Sequence, residues 1–113
     1  MYTVIRKYDL VPGSIEEFIQ QVQKSLVPII NQVPGFREYS LVEIGENEVI
    51  AISIFDSLDN AKVSAQQTSA WVAEHTEQFF QGFSKPMVGS VRILSGPACL
   101  SKSSHEELLQ GVF

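Results

Sequence analysis

The sequence predicts an α+β domain of ferredoxin-like βαββαβ order, in which two helices cover one side of a four-stranded antiparallel sheet. Two observations carry that expectation. The apolar pattern switches between alternation and 3–4 spacing in the order strand, helix, strand, strand, helix, strand. The strands are also apolar on both faces, although two helices can bury only one of them.

Taken in order, Tyr2 to Val11 is rich in β-branched and aromatic residues and stops at Pro12-Gly13, a strand and its turn. Ser14-Ile-Glu-Glu17 has the form of a capping box. Ile15, Phe18, Ile19, Val22, Leu26, Ile29 and Ile30 follow as an amphipathic helix. Pro28 lies inside that stripe, where its missing donor and its ring should kink or shorten the last turn. Phe36 to Ile44 and Glu48 to Phe55 read as two strands joined by a Gly45-Glu46-Asn47 hairpin. A second helix begins at the Asp56, Ser57 and Asp59 cap candidates. It carries Leu58, Ala61, Ala65, Thr68, Val72, His75 and Phe79, with Gly82 as its stop. Met87 to Leu94 forms the fourth strand. Residues 1–95 constitute the domain; 96–113 are a tail with a short amphipathic stretch, Glu106 to Phe113.

The two-sided strands matter most. In the third strand Val49, Ala51 and Phe55 oppose Ile50, Ile52 and Ile54, so the face away from the helices is greasy. A second copy of the chain covering that face, as a two-fold homodimer, is the expected remedy.

Composition narrows the function classes. The chain has 113 residues, 8 basic and 13 acidic, for a formal charge of −5. An acidic balance argues against nucleic acid or an anionic membrane as partner. No apolar run approaches the length of a membrane span, and no signal-peptide pattern opens the chain. With the single cysteine, Cys99, these features predict a cytoplasmic domain. His105 and Cys99 are too sparse for a zinc-like cluster, and no metal site is expected.

Two sets of residues are candidates for chemistry. Gln67, Trp71 and His75 stand four apart on one edge of the second helix. Trp71 offers a stacking plate, and His75 is of the side-chain type that exchanges protons near neutral pH. Strand one places Arg6 and Tyr8 on one face, and Tyr39 lies on strand two. An inward Arg6 is either ion-paired, with Glu38 or Glu43 as partners, or an anchor for a phenolate or carboxylate. Tyr8 and Tyr39 are possible donors to the same anion or ordinary core aromatics.

The strand ending in Pro12-Gly13-Ser14, the Val33-Pro34-Gly35-Phe36 turn, the Ile52-Ser53-Ile54-Phe55-Asp56 strand end and the Ala70-Trp71-Val72-Ala73-Glu74-His75 helix resemble the antibiotic biosynthesis monooxygenase-like family. The resemblance implies a dimeric α/β barrel, two ferredoxin-like sheets packed face to face. It also implies a cofactor-independent monooxygenase acting on a small aromatic, phenolic or quinone-like substrate, with a non-catalytic small-molecule-binding or regulatory domain as the alternative. In that picture His75 is the base, Arg6 with Tyr8 or Tyr39 stabilises the anion, and Trp71 with Gln67 lines a flat cavity open to solvent. The haem-degrading branch does not transfer: its strand-one asparagine falls on Arg6 and its axial histidine near Gln81, and only Trp71 is retained.

Overall fold

The structure, a computed structural model, describes residues 1–96. Cys99, His105 and the Glu106–Phe113 stretch lie outside them. The described chain runs β1 (Tyr2–Leu10), α1 (Ile15–Gln21), a π-helical turn (Val22–Leu26), α2 (Val27–Asn31), β2 (Phe36–Gly45), β3 (Glu48–Phe55), α3 (Leu58–Phe79), β4 (Phe80–Phe83) and β5 (Met87–Ser90). The sheet is antiparallel in the order β2-β3-β1-β4, with β5 also paired to β1. This is the ferredoxin-like arrangement, with five strands where the sequence predicts four.

The additional strand divides one edge of the sheet. β4 pairs with the end of β1 (Tyr8↔Phe83, Leu10↔Phe80) and β5 with its beginning (Tyr2↔Ser90, Ile5↔Met87). Pro86 lacks the donor a continuous strand needs. The gap is bridged by Ser84, whose N–H donates to the Lys7 carbonyl (2.9 Å) and whose hydroxyl accepts from the Lys7 N–H (2.9 Å). α3 therefore ends at Phe79 and not at Gly82, which lies in β4 opposite Asp9. Leaving the helix at this point lets two consecutive aromatics, Phe79 and Phe80, both enter the core. β5 stops at Ser90, short of the expected Leu94; just beyond it the Val91 N–H donates to the Met1 carbonyl (2.9 Å).

Two local devices differ from expectation. The Ser14 hydroxyl donates back to the Val11 carbonyl (2.6 Å), so no capping box forms. A π-helical turn, Val22–Leu26, separates α1 from α2 just ahead of Pro28. This leaves Pro28 in the first turn of α2, where no backbone donor is required. Gly35, with φ +75°, turns the chain into β2 and accepts from the Asp56 N–H through its carbonyl (2.9 Å).

The core lies between the sheet and the helices, centred on Phe18. That ring is fully buried, with centroids 5.5–5.7 Å from Tyr8, Phe79 and Phe80 and 6.1 Å from Trp71. The opposite face bears Ile5, Ile50 and Ile52, half-buried within the single chain, with Val42, Ile44 and Met87 exposed.

Candidate functional site

Register aims β1 at the helices. Arg6 lies opposite Ala51, Tyr8 opposite Val49, and on β2 Tyr39 lies opposite Ser53. All of these are helix-facing positions, and the small Ala51 and Ser53 leave room beside the larger side chains. Arg6 is only 3% exposed. Its Nη2 donates to Ser69 Oγ at 2.7 Å, with a longer contact to the Ala65 carbonyl at 3.4 Å. Neither Glu38, Glu43 nor any other carboxylate among the described residues pairs with it. Lys7, by contrast, sits near Asp9 and Glu48, and Arg37 pairs with Asp56.

Three buried polar atoms in this region have no hydrogen-bond partner: Arg6 Nε, the Tyr8 hydroxyl and the Tyr39 hydroxyl. Burial pushes the Tyr8 phenol well above its usual range, with the Arg6 charge opposing. Tyr39 is raised in the same way, by burial first and then by Tyr8, again against Arg6. Both phenols therefore stay protonated and able to donate. An unmade hydrogen bond in the interior costs about 1–3 kcal/mol. Tyr8→Phe and Tyr39→Phe should accordingly leave the protein as stable as the parent or about 1 kcal/mol more so. Urea unfolding measures the effect.

Two cavities adjoin this core. One of about 540 Å³ lies between α3 and the β4–β5 link, lined by Arg6, Ser69, Val72, Ala73, Thr76, Phe83, Ser84, Lys85 and Pro86. The other, about 390 Å³, lies between the first helical segment and β2, lined by Ile19, Val22, Gln23, Val27, Tyr39 and Leu41. Arg6 thus borders one cavity and Tyr39 the other.

The remaining sequence candidates lie elsewhere. Trp71 is 3% exposed, and its Nε1 donates to Ser25 Oγ (2.7 Å) on the π-turn. That hydroxyl in turn donates to the Gln21 carbonyl (2.8 Å), so Trp71 clamps α3 to the first helix. His75 is half-buried and stacks on Trp71 at 4.2 Å; its Nδ1 lies 2.8 Å from the Trp71 carbonyl. A carbonyl only accepts, so Nδ1 is the donor in this contact. Neither residue lines either of these two cavities. The cavity-facing row of α3 is Ser69, Val72, Ala73 and Thr76, and Trp71 and His75 occupy a different edge of the helix. Gln67 is exposed. Ser69, Ser84 and Lys85 were not sequence candidates. Ser84 and Lys85 lie in the link between β4 and β5, which no local pattern in the sequence marks. Among the described residues no group of three or more His, Cys, Asp or Glu forms a metal-binding cluster.

The family model for antibiotic biosynthesis monooxygenases matches residues 1–79. The chain belongs to this family. Solved structures agree on the fold. A monooxygenase of Streptomyces coelicolor, ActVA-Orf6 in complex with nanaomycin D, superposes with a TM-score of 0.65 at 16% identity, covering 84% of this chain and 92% of its own. SnoaB, a cofactor-independent oxygenase from Streptomyces nogalater, gives 0.64 at 14% identity, covering 82% and 94%. A protein from Agrobacterium tumefaciens gives 0.58 at 24% identity, covering 82% and 96%. A search of the curated proteins finds no match. At these identities the superpositions speak for the fold of this family member, and its chemistry rests on its own residues. No helix among its described residues is long and apolar enough to cross a membrane.

Proposed function

We propose that this protein is a cofactor-independent monooxygenase of a small phenolic or quinol-like aromatic. The observation that supports this most strongly is Arg6, a buried cation with an unpartnered Nε and no counter-ion among the described residues, bordering a cavity large enough for a fused-ring phenol. A buried charge without an opposite charge is unfavourable. A bound phenolate supplies that charge, and the guanidinium in turn favours loss of the phenolic proton to solvent through the open cavity.

The chemistry then belongs to substrate and dioxygen. The phenolate passes one electron to O₂, giving a substrate radical and superoxide. Their recombination at a ring carbon that bears hydrogen forms a carbon–oxygen bond, and the peroxide takes a proton from solvent. Loss of that carbon's hydrogen as a proton drives O–O cleavage, leaving one oxygen as a carbonyl on the product and releasing the other, with both protons, as water. The protein contributes a fixed cation, Arg6, and apolar walls (Val72, Phe83, Pro86) for the ring to lie against. His75 would be a base for this site only through movement of α3 or an intervening relay. Trp71 has a framework role.

Dioxygen consumption during incubation with a panel of hydroquinones and polycyclic phenols tests the reading. Stoichiometric uptake with one oxygen retained in the product supports it; saturable binding without uptake would favour the alternative of a non-catalytic binding domain.

The proposal includes a homodimer formed through the outer sheet face and a cytoplasmic setting. The exposed Val42, Ile44 and Met87, continuous with Ile5, Ile50 and Ile52, make an apolar face with no cover within the described chain. Ile52→Glu should convert a micromolar dimer to monomer in sedimentation equilibrium, because a carboxylate buried at such an interface costs several kcal/mol. A parent protein already monomeric would remove the dimer from the account.

A further inference from the structure

We propose that the substrate carries a carboxylate in addition to its phenol, and that Lys85, with the hydroxyls of Ser69 and Ser84, is the element that selects for it. This rests on the Arg6 cavity being the substrate site, but not on turnover.

The charge pattern of the cavity is the starting point. In a chain of net charge −5, the wall of this cavity holds, among the described residues, two cations, Arg6 and Lys85, and no carboxylate. Arg6 has one demand to satisfy, the phenolate. Lys85 comes from the β4–β5 link, is exposed at the cavity rim, and makes no ion pair among the described residues.

The hydroxyls point to the same ligand chemistry. Ser69 Oγ accepts from Arg6 Nη2, and Ser84 Oγ accepts from the Lys7 N–H. Each therefore keeps its own O–H to donate. Thr76 differs, since its hydroxyl already donates to the Val72 carbonyl at 2.8 Å. The cavity thus presents two positive charges and two unspent donors to whatever fills it. A neutral ligand leaves that set unanswered; an acidic substituent answers it. The link is also held in place: both backbone contacts between Ser84 and Lys7 anchor it to β1, so Lys85 projects from a fixed turn.

The test is calorimetric titration of the parent protein with a hydroxynaphthoate and with its primary amide, which match in shape and phenol and differ in charge. The acid should bind about tenfold more tightly than the amide, a modest factor because Lys85 is solvated. In Lys85→Gln the two should bind within about twofold of each other, with the amide's affinity unchanged, and Lys85→Arg should restore the preference. Equal affinity in the parent, a preference that survives Lys85→Gln, or failure of both compounds to bind would overturn the proposal. Oxygen uptake, followed in parallel, separates the two readings. Acid preference without uptake sinks the oxygenase while leaving the carboxylate site standing; uptake with the amide as efficient as with the acid does the reverse.

Discussion

Arg6→Met should lower kcat/KM for phenol oxygenation about 10²–10³-fold while leaving the fold intact. The size follows from what removing one preformed oxyanion donor costs. The guanidinium is a buried cation on the cavity wall, and no carboxylate among the described residues pairs with it. Methionine has similar length and no charge to bury, so the free protein should hold or gain stability. Steady-state oxygen uptake and a thermal melt on the same preparation give the two numbers. His75→Gln is the companion variant. Because His75 lines neither cavity, its kcat should stay within about threefold of the parent, whereas a general base in the site would lose 10²–10⁴-fold. A large loss at His75 with little at Arg6 would reverse the assignment made here.

The second large effect is structural. Phe18→Ala should destabilise the protein by about 3–5 kcal/mol. Phe18 is the ring on which β1, the first helix, α3 and β4 converge, through Tyr8, Trp71, Phe79 and Phe80. No single neighbour can collapse into the space without abandoning its own contacts, so most of the cavity should remain. Chemical denaturation with an unchanged m-value measures it, and a loss below about 1 kcal/mol would mean the aromatic cluster packs differently. For a domain of this size the melting temperature should fall by about 10–20 °C.

Much of this fold can be read from the chain because each strand's alternation and each helix's stripe are local signals. β3 occupies Glu48–Phe55, the span its run of β-branched residues predicts, and the hairpin turns at Asn47 with φ +61°. The helix-facing positions of Arg6 and Tyr8 also follow from the parity of β1, since neighbours in a strand must point opposite ways. β4 is harder. Gly82 after an amphipathic stripe has the form of a helix stop, and only the pairing of Leu10 with Phe80, a non-local event, reveals that the helix has already ended. The same limit applies to Trp71 and His75. Spacing of four places them on one edge of α3, but which edge meets the sheet and which meets the first helix depends on how α3 is rolled. The Ser25–Trp71 hydrogen bond across 46 residues records that roll, and no local pattern encodes it.

The most direct measurement of the central claim is the ionisation of a phenol held in the Arg6 cavity. A nitrophenol changes colour when it loses its proton, so its midpoint can be titrated free and bound to the parent protein. The buried guanidinium should lower the bound midpoint by about one to three pH units, and Arg6→Met should abolish the shift. A bound midpoint that is unchanged or raised would contradict the account, because the cavity would then be acting as an apolar container and not as a site built for an anion.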